Sequence, residues 1–173
     1  VTGQRYNDAA GQAATHIQFD SFEHTGEAER KVFADFWAYV QKARRAAIKT
    51  YGSADKFGVY AWSDAEKHMF KHLTSKHADA PGIPTMDEMD AFIKAHVIDQ
   101  LKVCQQLVFP VESYSIKDIA KMILDRDGNH FEWPMEDAGG AASTIWYYKA
   151  CEGDQDMVTK VRAYNKADTE IQV

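Results

Sequence analysis

Asp168 is a carboxylate set in the apolar stripe of the last predicted helix. Met157, Val161, Tyr164, Asp168 and Ile171 follow one another at steps of three and four residues, so all five share one helical face. A charge on such a face must be paired, neutralised or metal-bound, because burying an unpaired carboxylate costs roughly several kcal/mol. The plainer alternative is an acid at the edge of the stripe, paired to a lysine or reaching water. Glu66 repeats the pattern. Ser63 is a predicted N-cap after an apolar run over residues 57–62, and Glu66, Met69, Phe70 and Leu73 then share one face. Taken alone, Glu66 reads as an acid complementing a helix N-terminus. Together, one inward acid at a strand-to-helix junction and another on a closing helix, with Tyr164 four residues before it, form a combination that neither makes alone.

These residues need elements to hold them. Residues 17–22 and 57–62 read as strands between amphipathic helices and are expected to lie side by side in one sheet. A long helix is predicted over 27–50. Thr85-Met86-Asp87-Glu88 is a capping box that opens a short helix after the Pro81-to-Pro84 turn. A helix over 97–107 follows, with Asp99 near its start and Phe109-Pro110-Val111 breaking it. Ser115, with Asp118 three residues on, starts another helix reaching residue 124.

The polar loop Asp125-Arg126-Asp127-Gly128-Asn129-His130 begins like a calcium loop, but its glycine is misplaced and the later ligands are lacking, which argues against calcium. Lys42, Arg44, Arg45 and Lys49 crowd the end of the long helix. Lys67, His68, Lys71, His72 and Lys76 cover the outward side of the helix bearing Glu66. Both patches read as solvated, dipole-complementing surface, with phosphate steering as the sharper alternative. The spacing of His68 and His72 suits zinc, yet no glutamate follows His68 in the metalloprotease pattern.

Tyr164-Asn165-Lys166-Ala167-Asp168 resembles the third motif of the DEDD exonucleases of the ribonuclease H-like fold, in the subtype with Tyr, three residues, then Asp. Val59-Tyr60-Ala61-Trp62-Ser63-Asp64-Ala65-Glu66 is similar to the second motif of the predicted RecB-family nucleases that carry this domain, a branch in which a Glu ends the motif. Val97-Ile98-Asp99-Gln100-Leu101, Ser113-Tyr114-Ser115-Ile116-Lys117 and the Gly139-Gly140-Ala141-Ala142-Ser143 turn resemble further blocks in the same order.

The resemblance implies an α/β ribonuclease H-like fold whose sheet is flanked by amphipathic helices. It also implies two-metal hydrolysis of DNA phosphodiester bonds by a 3'-5' exonuclease using magnesium or manganese. Glu66 and Asp168 would be metal ligands, with Asp99 as a further one or as an ordinary core residue. Tyr164 would orient the attacking water, and Lys117 would support catalysis. Shared metals would hold the Glu66 and Asp168 carboxylates about 4–8 Å apart. The implied partners are nucleic acid, DNA ahead of RNA, and a fused or associated helicase or nuclease domain. Two alternatives stand beside this reading. One is an inactive ribonuclease H-like module used for nucleic-acid binding or scaffolding, and the other a helical interaction domain.

The family's opening motif, Asp, one residue, Glu, has no counterpart here. The nearest stretch is Phe19-Asp20-Ser21-Phe22-Glu23, whose acids are three apart and so point to opposite faces of a strand. It also stands just before a long helix, where the family places its third strand. Val1-Thr2-Gly3 reads as the tail of a strand whose predecessor lies outside this chain. Residues 1–173 are thus expected to form a single domain lacking its first strand.

Composition bounds these readings. A chain of 173 residues with 45% hydrophobic content can bury one good core. No apolar run approaches the ~20 residues that span a membrane, and no signal-peptide pattern is present. Cys104 and Cys151 are isolated, which fits core thiols and a cytoplasmic setting. A net charge of -6 argues against a protein that coats nucleic acid generically.

Overall fold

A computed structural model describes residues 2–7, 12–126 and 140–170. Strand β1 (Thr2–Asn7) pairs antiparallel with β2 (Gln12–Gln18), Gly3 opposite Ile17 and Arg5 opposite Thr15, with a register shift between Arg5 and Asn7. The ladder stops at Gln18 because the next side chains have other partners. Phe19 meets the rings of Phe36 and Tyr39 at 6.1 and 5.6 Å, and Asp20 is held by Arg162.

Helix α1 (Gly26–Tyr51) begins where Thr25 Oγ1 accepts a hydrogen bond from the Ala28 N–H at 3.2 Å. It ends at Gly52, whose φ of 75° lets its N–H close on the Ile48 carbonyl. The expected span of 27–50 is thus correct to within a residue at each end. A 3₁₀ turn (Ala54–Lys56) leads to strand β3 (Val59–Ala61). Helices α2 (Ala65–Lys76) and α3 (Met86–His96) form the crossover to strand β4 (Val97–Asp99), which lies parallel to β3. The expected capping box at Thr85 and Glu88 opens α3, with both reciprocal hydrogen bonds formed. Helices α4 (Gln100–Cys104), α5 (Ile116–Arg126), α6 (Gly140–Cys151) and α7 (Gln155–Glu170) complete the order.

The core lies where α1, α2 and α3 meet. Phe33, Phe36 and Val40 of α1 pack with Phe70 and Leu73 of α2 and with Met89 and Phe92 of α3. Phe33 and Met89 are fully buried. Each such side chain contributes about 1.5–3 kcal/mol by leaving water. The aromatic members interlock, Phe36 stacking on Phe70 and Trp37 meeting Phe92 edge-on. Helices α6 and α7 pack against each other, and α7 also lies against β1 and β2.

The result is a mixed, helix-rich α/β arrangement with a small parallel sheet. Three expectations need correction. Residues 17–22 and 57–62 are not neighbours in one sheet: among the described residues β1 pairs only with β2 and β3 only with β4, giving two separate pairs. Residues 97–99 are strand, not helix, because Val97, Ile98 and Asp99 find ladder partners in Val59, Tyr60 and Ala61. That approach is close enough that a Cβ on Gly58 would come within 3.1 Å of Ile98 Cδ1. Finally, Asp64 rather than Ser63 is the N-cap of α2. Ser63, one residue earlier, has φ 115° and accepts a hydrogen bond from the Ala65 N–H.

Candidate functional site

Helix α7 starts at Asp154, whose Oδ1 accepts from the N–H groups of Asp156 and Met157. This start sets the phase of the predicted stripe. Val161 is buried, while Met157, Tyr164 and Asp168 are half-buried; Ile171 lies outside the described residues. The Tyr164 hydroxyl donates to the Asp168 carboxylate one turn further on. Burial first, and then the Asp168 charge and this hydrogen bond, push the phenol up to about 12. Lys117 Nζ lies 5.7 Å from the centre of the Tyr164 ring, and Trp146 meets the ring edge-on at 6.2 Å. Lys117 sits in the first turn of α5, which Ser115 opens by accepting from the Asp118 N–H at 3.1 Å, while Ser113 Oγ donates to the Asp118 carboxylate. Three of the predicted site residues, Lys117, Tyr164 and Asp168, are therefore gathered on α5 and α7.

The other two predicted residues belong to the β3–β4 end. Asp99 closes β4 and is buried; its Oδ1 accepts from the Lys102 N–H at 3.2 Å and caps α4. Its Oδ2 faces Lys102 Nζ at 3.4 Å and Lys67 Nζ at 3.6 Å. The same two ammonium groups hold Asp64, at 2.6 Å from Lys102 and 2.8 Å from Lys67. These hydrogen bonds keep the Asp64 carboxyl well below the usual carboxylate range, and Asp64 in turn raises Lys102. Glu66, between Ala65 and Lys67, lies in the first turn of α2. Its Oε2 is buried and has no hydrogen-bond partner among the described residues.

A divalent cation needs oxygens that are not already turned to cations. The orphaned Glu66 Oε2 meets that requirement. Asp99 does not, since both its oxygens are engaged by ammonium groups and a backbone N–H. Those contacts suit the alternative reading of Asp99, a structural acid of the interior. Among the described residues no three Asp, Glu, His or Cys side chains converge as a metal cage.

The basic face of α2 is largely committed to ion pairs: Lys67 as above, Lys71 with Asp90 at 2.7 Å and Lys76 with Glu29 at 2.8 Å. In the α1 patch, Arg44 Nε donates to Nε2 of buried His96, whose Nδ1 contacts the Phe57 carbonyl, so that ring is the neutral tautomer protonated at Nδ1. His68 and His72 are exposed and have no third ligand among the described residues. Cys104 and Cys151 are free and half-buried; burial pushes the Cys104 thiol up, and Cys151 is hydrogen-bonded to Tyr147. Asp20, the nearest acid to the missing opening motif, is gripped by Arg162 through bonds of 2.8 and 3.0 Å. Most of the polar loop over 125–130, and Gly139, lie outside the described residues.

Sequence reading missed Asp64 and Lys102, which tie the two strand ends together. Their only local signal was acid and lysine three residues apart at a helix start, a spacing common on any solvated helix. Among the described residues no helix is long and apolar enough to cross a membrane.

Comparison with known proteins assigns the chain to a family. A sequence model described as RNase_H superfamily matches residues 66–172, more than half of the chain, and the chain belongs to that superfamily. The match begins at Glu66 and takes in Asp99, Lys117, Tyr164 and Asp168. No curated protein and no solved structure matches the chain.

Proposed function

We propose that this chain is a metal-dependent nuclease domain that hydrolyses DNA phosphodiester bonds in the manner of a 3'-5' exonuclease, akin to the RecB-family branch of the DEDD enzymes with a tyrosine in the third motif. The observation that carries the reading is the contact of Asp168 with the Tyr164 hydroxyl beside Lys117, within the residues that match the RNase_H superfamily.

Asp168 and Glu66 would hold magnesium or manganese, hard cations that take carboxylate oxygens. Held by these carboxylates, such a cation would supply a more acidic water and would offset charge on the leaving oxygen. Tyr164 stays protonated far above neutral pH, so it donates to Asp168 and fixes the carboxylate's orientation while its oxygen can accept from, and so orient, the attacking water. Lys117 sets positive charge where the phosphate gains negative charge.

A second reading, nucleic-acid binding without catalysis, draws on the lack of three converging metal ligands among the described residues. The deciding experiment offers labelled single- and double-stranded DNA and RNA to the protein with magnesium or manganese, beside Asp168→Asn. Metal-dependent cleavage that Asp168→Asn abolishes supports the nuclease. Binding without cleavage favours the second reading, and cleavage that survives Asp168→Asn removes the central residue of the first.

A further inference from the structure

Residues 19–24 join β2 to α1 as an irregular segment outside both ladders. The Glu23 N–H donates to Ser21 Oγ and the Thr25 N–H to the Glu23 carbonyl, whereas the N–H groups of Ser21, Phe22 and His24 have no acceptor among the described residues. Backbone donors left in this way can be taken up by the carbonyls of a bound peptide.

This segment forms one wall of a hollow of about 360 Å³, closed by the start of α1, by Met69 and Leu73 of α2, and by Tyr147 and Val161 of α6 and α7. Its floor is apolar. Phe33, Leu73 and Val161 are buried there, while Met69 stays 46% exposed at the edge. Tyr147 stands at one side, 6.0 Å from the ring of Phe22 and 6.3 Å from that of His24.

The charged lining is acidic: Asp20, Glu23 and Glu29 face one ammonium group, Lys76. Two of these acids already hold cations of the chain itself. Asp20 grips the Arg162 guanidinium through two hydrogen bonds while that group lies 5.4 Å from the centre of the Phe22 ring, and Glu29 holds Lys76 at 2.8 Å. An acid beside an aromatic face is thus a pairing that this wall uses to receive a guanidinium. Glu23 offers the same pairing with no cation partner among the described residues: it is exposed, and the next residue, His24, stacks on Tyr148, which is 53% exposed.

We propose that this hollow docks a peptide segment of a partner protein that carries an arginine or lysine next to a large apolar residue. The apolar side chain packs against Met69 and Tyr147, the cation pairs with Glu23 beside the Tyr148 ring, and the peptide carbonyls accept from the N–H groups of residues 21–24. Charge complementarity selects this occupant. A second copy would bring a chain of net charge -6 against an acidic wall, and phosphates would meet three carboxylates. The inference is independent of the nuclease reading, since it uses none of Glu66, Lys117, Tyr164 and Asp168.

The test follows fluorescence anisotropy as the full chain is titrated into labelled hexapeptides. One alternates leucine with arginine, a second has glutamate in place of arginine, and a third has serine in place of leucine. The leucine–arginine peptide should bind at least about tenfold more tightly than either of the others. Glu23→Lys, a change at an exposed position, should weaken that peptide about tenfold or more and strengthen the leucine–glutamate peptide. Tyr148→Ala should weaken the leucine–arginine peptide by about three- to fivefold. Failure of the leucine–arginine peptide to bind, equal binding of all three peptides, or binding unmoved by Glu23→Lys overturns the proposal. Self-association of the chain, seen by sedimentation and abolished by Glu23→Lys, would overturn it in favour of a second copy.

Discussion

At the β3–β4 end, Asp64 and Asp99 share the ammonium groups of Lys67 and Lys102, whereas on α7 Asp168 accepts from the neutral hydroxyl of Tyr164. The two regions differ in chemistry because an ammonium group binds a carboxylate through its charge, while a phenol binds it through a hydrogen bond from a neutral group. The first arrangement ties strands to helices. The second sets a neutral donor against Asp168 on the stripe of α7.

The largest effect expected from this contrast is on cleavage. Asp168→Asn should lower metal-dependent cleavage of labelled DNA by more than about 100-fold, since even partners of metal ligands are worth 10–100-fold. Asp99→Asn keeps a side chain able to cap α4 and should leave the rate within about threefold. Initial rates for the two variants would break the comparison if they fell together.

The order reverses for stability. Asp99→Ala removes the α4 cap and leaves Lys67 and Lys102 to Asp64 alone, for a loss of about 2 kcal/mol in urea unfolding. Asp168→Asn should stay within about 1 kcal/mol, because the amide can still accept from Tyr164. An Asp168→Asn protein as weakened as Asp99→Ala would show that Asp168 is structural after all.

Tyr164→Phe tests the neutral donor alone. It keeps the ring under Lys117 and should reduce cleavage by about 10–100-fold through loss of carboxylate orientation. It also changes alkaline titration. Tyr147 and Tyr164 are both pushed up to about 12, chiefly by burial, from an ordinary value of 10.0. The folded chain therefore holds these protons more tightly than the unfolded chain. Their contribution to stability is whole below pH 10 and is lost as pH rises through about 12. Ultraviolet titration should show late ionisation of Tyr147 and Tyr164, with the Tyr164 part of that late step lost in Tyr164→Phe.

The smallest effect concerns acid. Asp64 is depressed by Lys102 and Lys67, so its contribution is present above the usual carboxylate range and disappears as pH falls through its lowered value. Lys102→Met should shift the acid-unfolding midpoint slightly upward while leaving the alkaline limb unchanged. Movement of the alkaline limb instead would contradict the separation of the two regions.

Much of this was legible locally. The capping box at Thr85 and Glu88, the cap at Ser115 and the long α1 depend on residues within one helical turn, so their spacing suffices. The stripe of α7 was legible for the same reason. The strand at 97–99 was not, because three β-compatible residues become strand only when Val59 to Ala61 lie beside them. The partners of Asp99 were hidden too: Lys67 is brought to it by the crossover through α2 and α3, and Lys102 carries Asp64 from 38 residues away.

By itself, then, the sequence determined α1, the capped start of α3, the start of α5 and the stripe of α7 that carries Asp168, since all of this follows from periodicity and caps. Only the tertiary structure decided which acids are saturated. A carboxylate's role depends on the charges within a few ångströms, and those come from whichever elements the fold packs beside it. That packing gave Asp99 two lysines, gave Asp168 the hydroxyl of Tyr164, and left Glu66 Oε2 without a partner among the described residues.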